Sequence, residues 1–333
     1  MIIPFFITHS GCPHQCVFCD QKRITGQSEP AAPADIPKTI ENYLKAHRTG
    51  GPDHVAFYGG NFTGLPLELQ TAYLEAVQPF IRSGRIEHIR ISTRPDNVDR
   101  HILEVLSAYN VRTIELGAQS MDDGVLKLAG RGHTAADTVN AFRLLSEHGF
   151  FIGLQFMPGL PGDSLASFRK TVSTAIALRP VFVRLYPALV IAGTPLEVMF
   201  RSGRYEPLSI DEAIAWCGEA LLQFEREGIA VARIGLQSTG ELEKPGTIAA
   251  GPYHSAFREL VESSLLLDGM RSVLQSRKNR GDTATIQIHP KEMSAAIGRQ
   301  RSNIDTLKKE FGLRELRIAK GTASMARRSP IIL

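Results

Sequence analysis

Between Ile2 and Tyr186 the chain repeats one pattern six times: a β-branched or aromatic run, a Gly-rich or polar stretch, then residues at helical spacing. The apolar runs cover 2–8, 55–58, 86–93, 111–117, 150–156 and 181–186. Strand–helix–strand repetition points to parallel pairing, because parallel neighbours need a long crossover. A doubly wound sheet and a barrel both satisfy that rule; six similar units favour a partial (β/α)6 barrel of the α/β class. Pro66 fits the first turn of a helix whose face carries Leu67, Leu74, Val77 and Ile81. Thr134 with Asp137, and Ser209 with Glu212, have the spacing of capping boxes. Chemistry on such a barrel gathers at the C-terminal strand ends. Here those ends are 8–19, 59–64, 92–96, 117–120, 157–162 and 186–190, and they hold the Gly, Pro and polar residues expected of a site.

A seventh apolar run, 229–236, precedes a turn-rich stretch containing Gly240, Pro245, Gly246 and Gly251. The expected organisation is a barrel over 1–240, a helical connector over 241–268 and a small domain over 269–333. Within the connector, Phe257, Leu260, Val261 and Leu265 place a helix over 253–267. The tail reads as strand 284–288, helix 291–297, a basic turn, helix 303–311 and strand 315–319. Charge separates it from the rest. The 333 residues carry 38 Lys+Arg and 34 Asp+Glu, yet from Gly269 onward there are 14 basic and five acidic residues. The tail is therefore basic by nine charges while the preceding residues are acidic by five. No apolar run approaches the roughly 20 residues that span a bilayer, and Met1–Ile7 lacks the charged start of a leader, so a cytoplasmic location without a membrane partner is expected.

Four cysteines are too few for a disulfide scaffold, and three of them, Cys12, Cys16 and Cys19, fall in one loop after the first strand. Ordinary 4Fe–4S clusters take four cysteines, so three would leave one iron open to a small molecule. Two rivals stand beside this reading. A zinc site would need a fourth ligand, His9 or His14. A redox dithiol at Cys16 and Cys19 would leave Cys12 without a role. Cys217, beside Trp216 in a helical segment, reads as a buried apolar thiol. His133 and Asp96 are polar residues placed at strand ends.

The CxxxCxxC spacing resembles the signature of the radical S-adenosylmethionine (SAM) enzymes. Further blocks resemble one branch, the catalytic subunit of Elongator, which modifies wobble uridine in tRNA. These are Tyr58-Gly59-Gly60-Asn61-Phe62, Thr93-Arg94-Pro95-Asp96, Glu115-Leu116-Gly117-Ala118-Gln119-Ser120, Arg131-Gly132-His133-Thr134, Met157-Pro158-Gly159-Leu160-Pro161-Gly162 and Leu185-Tyr186-Pro187-Ala188-Leu189-Val190. They keep their order across 5–240. The resemblance implies a TIM-like radical SAM barrel with a 4Fe–4S cluster on Cys12, Cys16 and Cys19. SAM would chelate the open iron, and an electron from a donor such as flavodoxin or ferredoxin would yield a 5′-deoxyadenosyl radical that abstracts hydrogen. It further implies Phe18 near the cluster and adenine, Gly59 and Gly60 by the methionine amino group, and Ser92 and Gln119 by the ribose or methionine moiety. Arg131 would pair with the SAM carboxylate and Met157 would flank the adenine. Two blocks depart from the pattern: Ser92 stands where the relative often has an acid, and Asn61 where it has Thr. The acetyltransferase domain is not expected in the tail, so acetyl-CoA-dependent carboxymethylation is not carried over.

The tail order, with Ile297-Gly298-Arg299-Gln300-Arg301-Ser302 between its helices, resembles a KH-type RNA-binding module, in which a GXXG loop clamps the nucleic-acid backbone. Arg299, Arg301, Lys308 and Lys309 are the candidate RNA contacts, and the surplus positive charge supports phosphate binding. The leading expectation is radical SAM chemistry on RNA, tRNA above all, with no DNA partner. The rivals are radical chemistry on a small metabolite or porphyrin-like substrate, and a non-catalytic iron–sulfur or zinc RNA-binding protein.

Overall fold

A computed structural model of the chain describes residues 1–8, 10–27, 29–46, 53–277 and 281–332; His9, one rival zinc ligand, lies outside them, as do Lys278 and Arg280 of the basic tail. The chain divides into two compact units, 1–213 with 220–255, and 214–219 with 256–333.

The first unit is built on β1 (Ile2–Phe6), β2 (His54–Tyr58), β3 (His88–Thr93), β4 (Val111–Gln119), β5 (Phe151–Phe156) and β6 (Phe182–Leu185). A short β7 (Val190–Ile191) follows, then β8 (Ala230–Ile234) and β9 (Ile248–Ala250). One seven-stranded sheet runs β1-β2-β3-β4-β5-β6-β8 with every neighbour parallel. Its outer strands, β1 and β8, do not pair, so the curled sheet is an open half-barrel, one strand longer than the six repeating units. β7 and β9 form a separate antiparallel pair. The sheet core is β-branched and aromatic, with Ile3, Val55, Phe57, Ile89, Ile91, Ile114, Leu116 and Val183 fully buried; such side chains suit a sheet covered on both faces.

Helices α1 (Gln21–Thr25) and α2 (Ile36–Ala46) connect β1 to β2, and α3 (Leu67–Arg82) and α4 (Arg100–Ala108) follow β2 and β3. Next come α5 (Asp123–Leu128) and α6 (Ala135–Glu147) after β4, and α7 (Leu165–Leu178) after β5. α8 (Pro195–Arg201) and α9 (Ile210–Arg226) lead to β8. The capping boxes at Thr134 and Ser209 are formed, each side chain accepting from the backbone of the third helical residue. α3 differs from expectation. Pro66 is its N-cap rather than part of its first turn, and Leu67 is exposed; the inward face is Gln70, Tyr73, Leu74, Val77 and Phe80. Two aromatic rings at Tyr73 and Phe80 outweigh the aliphatic stripe that the spacing alone singles out.

In the second unit, α10 (Phe257–Gln275) is one helix of 19 residues, longer at its C-terminal end than the 253–267 expectation. β10 (Thr283–Ile288) lies between parallel β11 (Glu315–Lys320) and antiparallel β12 (Ile331–Ile332). Between β10 and β11 come α11 (Met293–Ile297) and α12 (Ser302–Phe311). Leu266, Met270 and Leu274 of α10 share a core with Ile286, Ala296, Ile304, Leu307 and Leu316. The segment expected as a connector is thus divided: 241–255 belongs to the first unit and 256–268 to the second.

Candidate active site

The C-terminal strand ends of the first unit enclose a cavity of about 440 Å³. Cys12, Cys16, Phe18, Cys19, Gly59, Gly60, Ser92, Gln119, Arg131 and Met157 all line it, so residues spread over 146 positions of sequence meet at one place. Arg299, Arg301, Lys308 and Lys309 belong to the other unit. There Arg299 and Arg301 sit at the start of α12 and the lysines at its last turn, about 10 Å further along the axis at 1.5 Å per residue. The structure does not gather those four into one cluster.

The cysteine loop is held by backbone contacts that require particular residues. Gly11 has φ +73°, and a Cβ there would run into the Asn61 carbonyl and the backbone of Gly64 and Leu65. Asn61 is fully buried and acts as the hub. Its Nδ2 donates to the Gly11 carbonyl (2.6 Å) and to Asn97 Oδ1 (2.7 Å); its Oδ1 accepts from Thr93 Oγ1 (2.7 Å) and the Arg94 N–H (3.0 Å). One amide therefore ties the cysteine loop to the β3 end. A buried polar group left without its partner costs about 1–3 kcal/mol, so Asn61→Ala, which orphans several, should lower stability by at least that much and reduce the iron retained after reconstitution. Thermal unfolding and iron-to-protein ratios check this; a variant matching wild type in both would remove the hub role.

The far side of the loop is fixed by Val17 N–H to the Ala129 carbonyl (3.1 Å) and Leu196 N–H to the Val17 carbonyl (2.8 Å). Arg131, 6% exposed, donates through Nη1 to Cys16 Sγ (3.2 Å) and through Nη2 to the Gly117 carbonyl (2.6 Å). Arg94 forms a bidentate pair with Asp96 (2.9 and 2.7 Å). Burial works to raise the Asp96 carboxyl, but the Arg94 hydrogen bonds and charge outweigh it and hold the group below its usual range. His133 is lowered to about 4 by burial and then by Arg131, which keeps it neutral.

The thiols behave oppositely. Burial, then the neighbouring Cys16 and Cys12, pushes Cys19 up to about 12; burial and Cys16 raise Cys12 as well. Three sulfurs that disfavour one another's charge form a donor set suited to a cation, since a bound metal deprotonates thiols outright. Among the described residues, the set of three or more His, Cys, Asp or Glu donor atoms lying within 4.8 Å of one another is His54, Glu87 and His88. The three cysteine sulfurs are therefore not all within 4.8 Å of one another. A single tetrahedral zinc with bonds of about 2.3 Å draws its sulfurs to about 3.8 Å, whereas ligands on three irons of a cube stand further apart. Cys217 is fully buried in α9 and is not among the residues lining the cavity, in keeping with a buried apolar thiol.

Below the cysteines lies a charge network that sequence reasoning missed. Glu115, 4% exposed, accepts from Arg90 Nη2 (2.9 Å), Tyr58 OH (3.1 Å) and Arg184 Nη2 (3.3 Å) on Oε1, while Arg184 Nε stands 2.7 Å from Oε2. Glu115 lies inside a noted block, but its partners lie on β2, β3 and β6, which only the folded sheet brings together. The signal present in the sequence was a charged residue in the middle of each of three apolar strands. At the end of β4, Gln119 takes φ +65°, and its Oε1 accepts from Gln155 Nε2 (3.2 Å), turning its side chain to the cavity.

Comparison with known proteins gives this geometry a family. The model of the radical SAM superfamily matches residues 6–175, and that of the radical SAM C-terminal domain matches 180–266. The chain belongs to the radical SAM superfamily. Radical SAM proteins are enzymes that use a 4Fe–4S cluster and SAM, and the matched span includes Cys12, Cys16 and Cys19, which line the cavity. Among curated relatives, the tRNA uridine(34) acetyltransferase of Methanocaldococcus infernus is 28% identical over 254 residues, 64% of this chain and 47% of the relative. The heme chaperone HemW of Bacillus subtilis is 27% identical over 209 residues, 58% of this chain and 52% of that protein. The chain thus spans about half the length of the curated relatives it matches. The solved structure of the archaeal Elp3 of Methanocaldococcus infernus, with an N-terminal deletion (1–46), superposes with a TM-score of 0.65 at 24% identity, covering 81% of this chain and 63% of that one. This radical SAM fold is the half-barrel described above. Among the described residues no helix is long and apolar enough to cross a membrane.

Proposed function

We propose that this radical SAM enzyme acts on RNA, with tRNA as the substrate class. In this reading Cys12, Cys16 and Cys19 hold the cluster, and Arg131 steadies Cys16. Gly59 and Gly60 let backbone approach the methionine end of SAM, Ser92 and Gln119 meet its ribose or methionine moiety, and Phe18 and Met157 flank the adenine. When bound, cluster and SAM supply hydrogen-atom abstraction, given an electron from a donor of the flavodoxin or ferredoxin kind. The chain's own residues orient the reactants and restrict water: Phe18 and Cys16 line the cavity and are backed by a buried apolar cluster with Leu160, Ala188 and Val190. Asp96 stays ionised to hold Arg94, and His133 stays neutral.

The observation that carries the RNA reading is the exposed basic turn between α11 and α12. Arg299 and Arg301 are exposed there, with Gln300 (φ +50°) and Arg301 (φ +68°) in left-handed conformations. Left-handed backbone at non-glycine residues costs about 1–2 kcal/mol each and concentrates at functional sites. The β–α–α–β order supports a KH-type clamp on the nucleic-acid backbone, and the relatives named as tRNA uridine(34) acetyltransferases support tRNA as the substrate class.

Anisotropy of labelled tRNA against salt concentration tests this. Wild type should bind with a steep salt dependence. Arg299→Ala with Arg301→Ala should weaken binding at least tenfold and flatten the log–log slope by roughly 0.7–0.9 per lost phosphate contact. Binding that ignores both salt and the double variant would turn the assignment toward a small or porphyrin-like substrate, the reading that the heme chaperone relative supports.

A further inference from the structure

The last two strands of the sheet carry an irregularity at the cavity wall. Val183 on β6 stands opposite Val231 on β8, but the next pair is Arg184 with Arg233, so β8 holds one extra residue, Ala232. Side chains on a strand alternate between faces, and one added residue reverses the phase beyond it. Without the bulge, Ala232 would stand opposite Arg184; with it, Arg233 does, and both arginines line the cavity. Bulges beside active sites re-aim side chains in this way.

The result is two guanidinium groups on adjacent strands, a repulsive pairing unless something negative lies between them. Arg184 has Glu115. Both Glu115 oxygens are occupied by Arg90, Arg184 and Tyr58, and Glu115 is the only carboxylate among the residues lining the cavity. The Arg233 side chain, unlike its ladder-paired backbone, makes no hydrogen bond or ion pair among the described residues. Arg90 and Arg184 thus share one carboxylate and Arg233 has none, so the three arginines carry two positive charges more than that carboxylate offsets. The tyrosines do not supply the missing charge: burial raises both Tyr58 and Tyr186, so both stay protonated and neutral, and the Tyr186 hydroxyl oxygen accepts from Arg184 Nη1 at 3.2 Å.

We infer that Arg184 and Arg233 form an oxyanion subsite on the inner barrel wall, which holds a phosphate or carboxylate group of the substrate. Guanidinium suits this task because its planar fork grips two oxygens of such a group at once. The inference rests on the cavity being where a radical SAM substrate enters. It does not depend on the tail. A phosphate marks a nucleotide substrate, and a carboxylate marks a small organic acid or porphyrin-like one.

Calorimetric titration of the full chain with inorganic phosphate and, separately, succinate tests the subsite. Wild type should bind at least one of them, and preference between the two identifies the substrate group. Arg233→Gln should weaken that binding at least tenfold while unfolding at the wild-type temperature, since no ion pair is lost; Arg233→Lys should recover part of the loss and serves as the second variant if the Gln form folds poorly. Equal binding by wild type and both variants, or no anion binding by wild type, would overturn the subsite. So would a loss confined to SAM binding by the reconstituted protein, which would reassign Arg233 to the cofactor. The tail variant Arg299→Ala with Arg301→Ala should keep the Arg233-dependent component, so failure of RNA binding and failure of the subsite are read separately.

Discussion

Cys16→Ala, reconstituted with iron and sulfide under reducing, oxygen-free conditions, is expected to give a folded chain that forms no 5′-deoxyadenosine from SAM. Cys16 is 6% exposed and its sulfur accepts from Arg131, so the substitution removes both the proposed ligand and the anchor of a buried guanidinium. Removing an outer partner of a metal ligand costs about 10–100-fold, and loss of the ligand itself should exceed that. Circular dichroism separates loss of the cluster from loss of fold, because truncating one small buried side chain leaves the sheet pairing untouched. Undiminished 5′-deoxyadenosine from the variant would refute the ligand assignment. Arg131→Lys should give a milder defect, retaining charge near Cys16 but losing the second bond to Gly117.

The largest effect on stability should come from Glu115→Ala. One carboxylate is shared by Arg90 and Arg184 inside the barrel, and their side chains are only 13% and 16% exposed. Removing one partner of a buried ion pair costs about 3–5 kcal/mol, because the surviving charge loses its compensation. At about 2–4 °C per kcal/mol for a unit of this size, the melting temperature should fall by roughly 10 °C. Differential scanning calorimetry reads this directly. Glu41→Ala, which breaks an exposed pair with Arg85, should barely move the transition. Similar shifts for the two variants would mean that the Glu115 network is too solvated to matter.

Much of the first unit was legible because its signals are local. A parallel strand followed by its helix occupies adjacent sequence, and the three cysteines fall in one loop. Other features depend on distance. Glu115 meets residues 25, 57 and 69 positions away, and no spacing rule connects them. The bulge at Ala232 is a property of pairing with β6, so Arg233 reads in sequence as one more polar residue in an edge strand. The α10 boundary failed for a different reason. The helical period continues through Leu266, Met270 and Leu274, but the change in charge at 269 drew the boundary inside the helix. Composition marks surfaces, whereas a domain boundary follows buried contacts. In α3, Leu67 matched the period and yet faces water, since the aromatic residues set which face turns inward.

Electron paramagnetic resonance of the reduced, anaerobically reconstituted protein, with parallel iron and sulfide analysis, tests the central claim most directly. Four irons and four sulfides per chain, with a reduced-cluster signal that changes when SAM is added, are the expected result. One zinc per chain, no sulfide, and a spectrum indifferent to SAM would contradict it.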